Sequence, residues 1–82
     1  MGSMAADYTP RQGQFLAFIY YYMKIHGCPP AERDMQRYFR ISAPAIHQMV
    51  VTLEDRGFIE RELGKARSIR LLFTRDQLPD LE

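Results

Sequence analysis

Residues 42–72 decide the fold: SAPAIHQMVVTLEDRGFIERELGKARSIRLL. Ser42 is a capping residue, and Ile46, Val50 and Leu53 recur at the four- and three-residue steps of one helical face. Gly57 supplies the stop. Two short apolar runs follow, Phe58-Ile59 and Ile69-Arg70-Leu71-Leu72, separated by a basic, glycine-containing turn, Gly64-Lys65-Ala66-Arg67-Ser68. That order predicts a helix and then a β-hairpin. A helix of this kind can enter a DNA groove while a basic hairpin, or wing, reaches the flanking backbone.

Two further helices precede this stretch. Thr9-Pro10-Arg11-Gln12 is a helix start: Thr9 can cap, Pro10 suits the first helical position, and Gln12 completes a capping box. Phe15, Phe18, Ile19, Tyr22 and Met23 follow at helical spacing until Gly27 and Pro29-Pro30 end the run. The second helix begins after Pro30. Ala31 is a poor cap, but Glu32 and Asp34 place negative charge in the first turn. Met35, Tyr38 and Phe39 form its apolar stripe, and Arg40-Ile41 makes the turn into Ser42. The expected fold is mainly α with a small β-hairpin, a three-helix winged helix-turn-helix over residues 9–72.

With 82 residues the chain is one small domain, and most large apolar side chains are needed for its core. It has no long apolar run and no signal-peptide pattern, so no membrane partner is expected. A single Cys28 suits a reducing, cytoplasmic setting. Met1-Gly2-Ser3 ahead of Met4 reads as a tag remnant, and residues 1–8 as that remnant plus a flexible N-terminus. Net charge is +1. Residues 5–72 carry 10 Lys/Arg against 7 Asp/Glu, a balance of +3, whereas residues 73–82 carry Arg75 against Asp76, Asp80 and Glu82, a balance of −2. The body is mildly basic, and residues 73–82 read as an acidic, solvated, partly ordered tail.

The residues also match a family pattern in order and spacing. Arg11-Gln12, Leu16 and Phe18-Ile19 lead to Gly27-Cys28-Pro29-Pro30, then to the basic–acidic–apolar triplet Arg33-Asp34-Met35. Ser42, Ile46-His47, Val50, Leu53-Glu54, Arg56-Gly57-Phe58-Ile59 and finally Arg67-Ser68-Ile69-Arg70-Leu71-Leu72 complete it. In this the chain resembles the DNA-binding domain of the LexA repressors. The resemblance implies a winged helix-turn-helix that regulates bacterial transcription, as a repressor by occlusion. Three departures stand out. The turn before the third helix is one residue shorter, Ala31 replaces the usual capping threonine, and the sequence ends ten residues after the wing. The self-cleaving domain of those repressors is therefore not carried over, and the expectation is a stand-alone regulator.

The helix face opposite Ile46, Val50 and Leu53 holds Pro44, Ala45, His47, Gln48 and Val51, with Ser42 at its start. Gln48 can bind adenine through two hydrogen bonds, His47 can donate to guanine or phosphate, and Pro44 and Ala45 can meet a thymine methyl. Arg33 and Arg40 are candidates for phosphate on one side of the groove, with Arg37 divided between phosphate and a salt bridge. Lys65 and Arg67, in a turn without nearby acids in sequence, are candidates from the wing, and Arg70 is placed at its base. Tyr20-Tyr21-Tyr22 cannot all face one core: Tyr22 fits the buried stripe, Tyr21 should be exposed, and Tyr20 and Tyr21 are the candidate contact of a homodimer, the other route being pairing on DNA. His26, Cys28 and His47 do not make a four-ligand zinc set. Ser42 and His47 lack an orienting acid, so neither catalysis nor a cofactor is expected.

Double-stranded DNA is the expected partner. The rival is a winged helix that serves as a protein–protein module. A strip of free cations joining Arg33, Arg40, His47, Lys65 and Arg67 favours DNA; scattered, acid-paired arginines favour the rival.

Overall fold

The computed structural model describes residues 8–82; the tag-remnant reading of Met1-Gly2-Ser3 lies outside these residues, and Tyr8, expected to belong to a flexible N-terminus, packs against the core instead. The chain folds as α1 (Pro10–His26), α2 (Glu32–Phe39), α3 (Ala43–Asp55), β1 (Ile59–Glu60) and β2 (Arg70–Leu71), followed by a 3-10 turn at Arg75–Gln77. β1 and β2 pair antiparallel, with Ile59 opposite Leu71 and Glu60 opposite Arg70. This is the winged helix-turn-helix expected from the sequence.

Each helix starts where its capping chemistry allows. Thr9 Oγ1 accepts from the Gln12 N–H at 3.1 Å while Gln12 Oε1 accepts from the Thr9 N–H at 2.9 Å, a complete capping box. Ala31 has no hydroxyl to give α2, but the Asp34 carboxylate accepts the Ala31 N–H at 2.8 Å and supplies half of the reciprocal pair. Ser42 caps α3 through Ala45 N–H at 3.4 Å. Between α2 and α3 the chain turns at Arg40, which sits in the left-handed region at φ 57° with its N–H on Gln36 O. A non-glycine residue there costs about 1–2 kcal/mol, which the packing on either side of the turn offsets.

The core is built from Phe15, Leu16 and Ile19 of α1, Met35 of α2, Ile46, Val50 and Leu53 of α3, and Phe58, Ile59 and Ile69 of the hairpin. Phe15 stacks on Phe39 with centroids 4.1 Å apart. The inward stripes are shorter than the periodicity implies. Met23 and Tyr38 are 38% and 45% exposed. The buried residues of α1 end at Ile19.

The acidic C-terminal segment, expected to be a solvated end, packs instead. Leu78 is buried among the core residues, and Phe73 and Leu81 lie against them. Tyr8 Oη donates to Gln77 O at 2.6 Å, and its ring meets Phe73 edge-on. Gln14 donates to Asp80 O at 3.0 Å and accepts from Glu82 N at 2.8 Å, and Tyr38 Oη donates to Glu82 O. Gly13 makes this approach feasible: a Cβ there would stand 2.9 Å from Tyr8 Cε1 and 3.1 Å from Pro79 Cγ. The charge of the segment sits on one side of it. Asp76 and Asp80 face outward between apolar residues that do not, and Asp80 pairs with Arg75 at 2.9 Å. Arg75 in turn lies over the rings of Tyr20 and Tyr21, so Tyr21 is half-buried rather than exposed. No described helix is long and apolar enough to cross a membrane.

Candidate nucleic-acid interface

With Ile46, Val50 and Leu53 fully buried, geometry turns the other face of α3 outward. Pro44, Ala45, His47 and Gln48 are exposed, and Val51 is half-buried at the edge. The face mixes apolar Pro44, Ala45 and Val51 with polar His47 and Gln48, and its polar groups are partly preset. Thr52 Oγ1 donates to the Gln48 backbone carbonyl at 2.9 Å and accepts from Gln48 Nε2 at 3.4 Å, and the Gln48 side-chain oxygen has no partner among the described residues. His47 Nδ1 sits 3.1 Å from Glu32 Oε2. A carboxylate there holds the proton on Nδ1, so Nε2 is the atom left to meet a ligand. Ser42 is exposed, and its hydroxyl is engaged by the α3 cap. The orienting acid missing from the sequence is thus present beside His47, but Ser42 Oγ meets Ala45 N–H and no nucleophile–base pair forms.

Glu32 joins His47 to a residue the sequence did not single out. Arg61 Nη1 lies 3.5 Å from Glu32 Oε2, and Arg61 Nε donates to Glu54 Oε1 at 3.0 Å. One guanidinium therefore ties the start of α2, the end of α3 and the root of the wing together. No local pattern announces it, because its two acids come from different helices.

The wing turn is closed by Ser68. Its hydroxyl accepts the Glu62 N–H at 2.9 Å and lies 2.8 Å from Lys65 O, while Gly64 takes φ 76° and Arg67 φ 55°. This leaves Leu63 98% exposed at the tip. Lys65 is also exposed, 3.6 Å from Glu62 in a surface pair that holds it weakly. Arg67 points the other way. Its Nη1 lies 3.0 Å from Asp34 Oδ2 and donates to Tyr22 Oη at 3.1 Å and Pro29 O at 3.2 Å. The turn has no acid nearby in sequence, but the fold brings one from α2. Burial pushes the Asp34 carboxyl up, yet the Ala31 N–H, Arg67 and Tyr22 together outweigh it and hold it below the usual carboxylate range. Arg70 pairs with Glu60 across the strands.

The cations therefore divide. Arg33, Arg37 and Arg40 on α2 and its end are exposed and have no acid partner among the described residues. Arg61, Arg67, Arg70 and Arg75 are acid-paired, and His47 and Lys65 each lie beside a glutamate, so of the expected free strip Arg33, Arg40, His47, Lys65 and Arg67 only Arg33 and Arg40 have no acid partner among the described residues. His26 stacks on Tyr22 at 4.1 Å, and among the described residues no three His, Cys, Asp or Glu side chains gather as metal ligands.

Comparison with known proteins bears on this surface. The LexA DNA binding domain family matches residues 5–68. A LexA repressor of Thermotoga maritima is 38% identical over 65 residues, covering 79% of this chain and 33% of the relative. Those of Geobacter metallireducens and Petrotoga mobilis are 36% and 37% identical over 67 residues, each covering 80% of this chain and 33% and 32% of the relative. The chain spans about a third of the length of the curated relatives it matches.

Proposed function

The chain belongs to the LexA DNA-binding domain family, and from that premise we propose that it binds double-stranded DNA by sequence and represses transcription by occluding polymerase. The observation that carries this is the outward face of α3. Its buried stripe leaves His47 and Gln48 projecting beside Pro44 and Ala45, with the wing at one flank and the unpaired Arg33 and Arg40 at the other helix. Gln48 offers an amide to adenine, and Val51 marks the limit of the contact surface. Lys65 and the two arginines neutralise phosphates on either side of the groove. Ser42 contributes by fixing the start of α3. The protein acts in the compartment that holds the chromosome, the cytoplasm. It carries no catalytic role.

Two copies read a palindrome by lying side by side on DNA. This arrangement is favoured over pairing through Tyr20 and Tyr21, because Arg75 of the same chain lies over both rings. Selection of bound duplexes from a random pool at moderate salt tests the proposal. A palindromic enriched motif is the expected result. A pool that stays random, with no duplex retained, overturns it and leaves the fold as a protein–protein module.

A further inference from the structure

We propose that Arg67 and Asp34 are positioning residues that set the angle of the wing, and that Arg67 touches no phosphate. This rests on the DNA-binding reading above. The hairpin is closed by a two-residue strand pair and held at its root by Ile59, Ile69 and Arg61, so the turn beyond them needs a further point of attachment to hold one direction. Arg67 provides it. Its guanidinium reaches the junction between α1 and α2 and meets Tyr22 Oη, Pro29 O and Asp34 Oδ2, all within 3.2 Å. It also lies 5.9 Å above the Tyr22 ring. All three acceptors gather around one nitrogen, Nη1, while the guanidinium lies over the Tyr22 ring; a lysine ammonium, a compact charge without that plane, does not reproduce the two together.

Asp34 is the fixed end of the anchor. Its side chain is 12% exposed, and the same Oδ2 accepts the Ala31 N–H that begins α2. The helix that precedes the recognition helix and the wing that flanks it are thereby registered on one carboxylate oxygen. The backbone is consistent with the same assignment: Arg67 is held at φ 55°, a conformation a side chain adopts at a cost, where its partly exposed guanidinium meets Asp34. With Arg67 drawn toward the body, Leu63 and Lys65 project at the opposite end of the turn. Arg61 secures the root of the wing independently through Glu32 and Glu54, so Arg67 governs the distal arm.

The test measures the wing in the free protein and on DNA for the wild type, R67K and D34N. In the free protein the amides of Glu62 and Lys65, bonded to Ser68 Oγ and Glu62 O, report the turn. Loss of a charge-assisted contact is expected to speed their hydrogen exchange by about tenfold in both variants. The α2 amides are the control, since an asparagine oxygen can still accept the Ala31 N–H. On DNA, D34N is expected to bind several-fold more weakly although it removes a negative charge. R67K, which keeps its positive charge, is expected to weaken to the same degree. Unchanged wing exchange in R67K overturns the anchor, as does D34N binding DNA more tightly. If D34N loses the α2 protection as well, R67K alone carries the decision. If the wild type retains no duplex, the DNA-binding reading fails, and the exchange measurement still decides whether Arg67 holds the wing.

Discussion

Replacing Leu78 by Ala tests whether the C-terminal segment belongs to the core. Leu78 is 8% exposed and sits with Phe73 and Leu81 against the α1–hairpin cluster. Burying a leucine is worth about 1.5–3 kcal/mol, and removing three carbons also leaves a cavity. The site lies at the edge of the core, where the segment can relax inward, so the cost falls near the low end of the Leu→Ala range, about 2–3 kcal/mol. For a domain of this size that lowers Tm by roughly 10–20 °C. Thermal and urea unfolding followed by circular dichroism measures it. Leu72→Ala is the matched control, because that side chain is 44% exposed and its loss is expected to cost about 0.5 kcal/mol or less. If Leu78→Ala melts with Leu72→Ala, within a degree or two by the same scale, the segment is a solvated tail and the packing argument is wrong.

Gly13→Ala adds a good helix former yet is expected to destabilise: the gain of about 1 kcal/mol in propensity is outweighed by a methyl 2.9 Å from the Tyr8 ring, and a rise in Tm would show that Tyr8 and Pro79 move aside freely. Lys65→Ala should flatten the salt dependence of log K by about 0.9, the loss of one phosphate contact, and an unchanged slope removes Lys65 from the interface. Gln48→Ala should relax preference at one base position by roughly 1–3 kcal/mol with little change in non-specific affinity; identical enriched motifs for variant and wild type mean that Gln48 does not read sequence. Asp34 is held below its ordinary range in the folded state, so its stabilising effect is present above the unfolded value and lost as pH falls through the folded one. The Tm gap between the wild type and Asp34→Asn should therefore shrink below about pH 4, and a gap as wide at pH 3 as at neutral pH contradicts that assignment.

Local chemistry carried the element order and most of the core. The Thr9–Gln12 box, the proline pair after Gly27 and the Ser42 cap each act within a few residues, so their meaning survives without the rest of the fold. The buried trio Ile46, Val50 and Leu53 follows from helical spacing alone, and with it the outward placement of His47 and Gln48. Periodicity misled at the end of α1: Met23 keeps its place in the pattern but is 38% exposed.

Charge was legible as a total and illegible as a set of partners. The sequence by itself determined that the chain holds three helices, two of them with side-chain caps, and an apolar-edged hairpin, because caps, stops and stripes are set by neighbours along the chain. Only the tertiary structure decided that Arg67 pairs with Asp34, that Arg61 bridges two helices, and that an acidic terminus folds back through Leu78 onto Tyr8 and α1. Ion pairs and docked segments have no period, and which side chains meet depends on how whole elements are brought together across the fold.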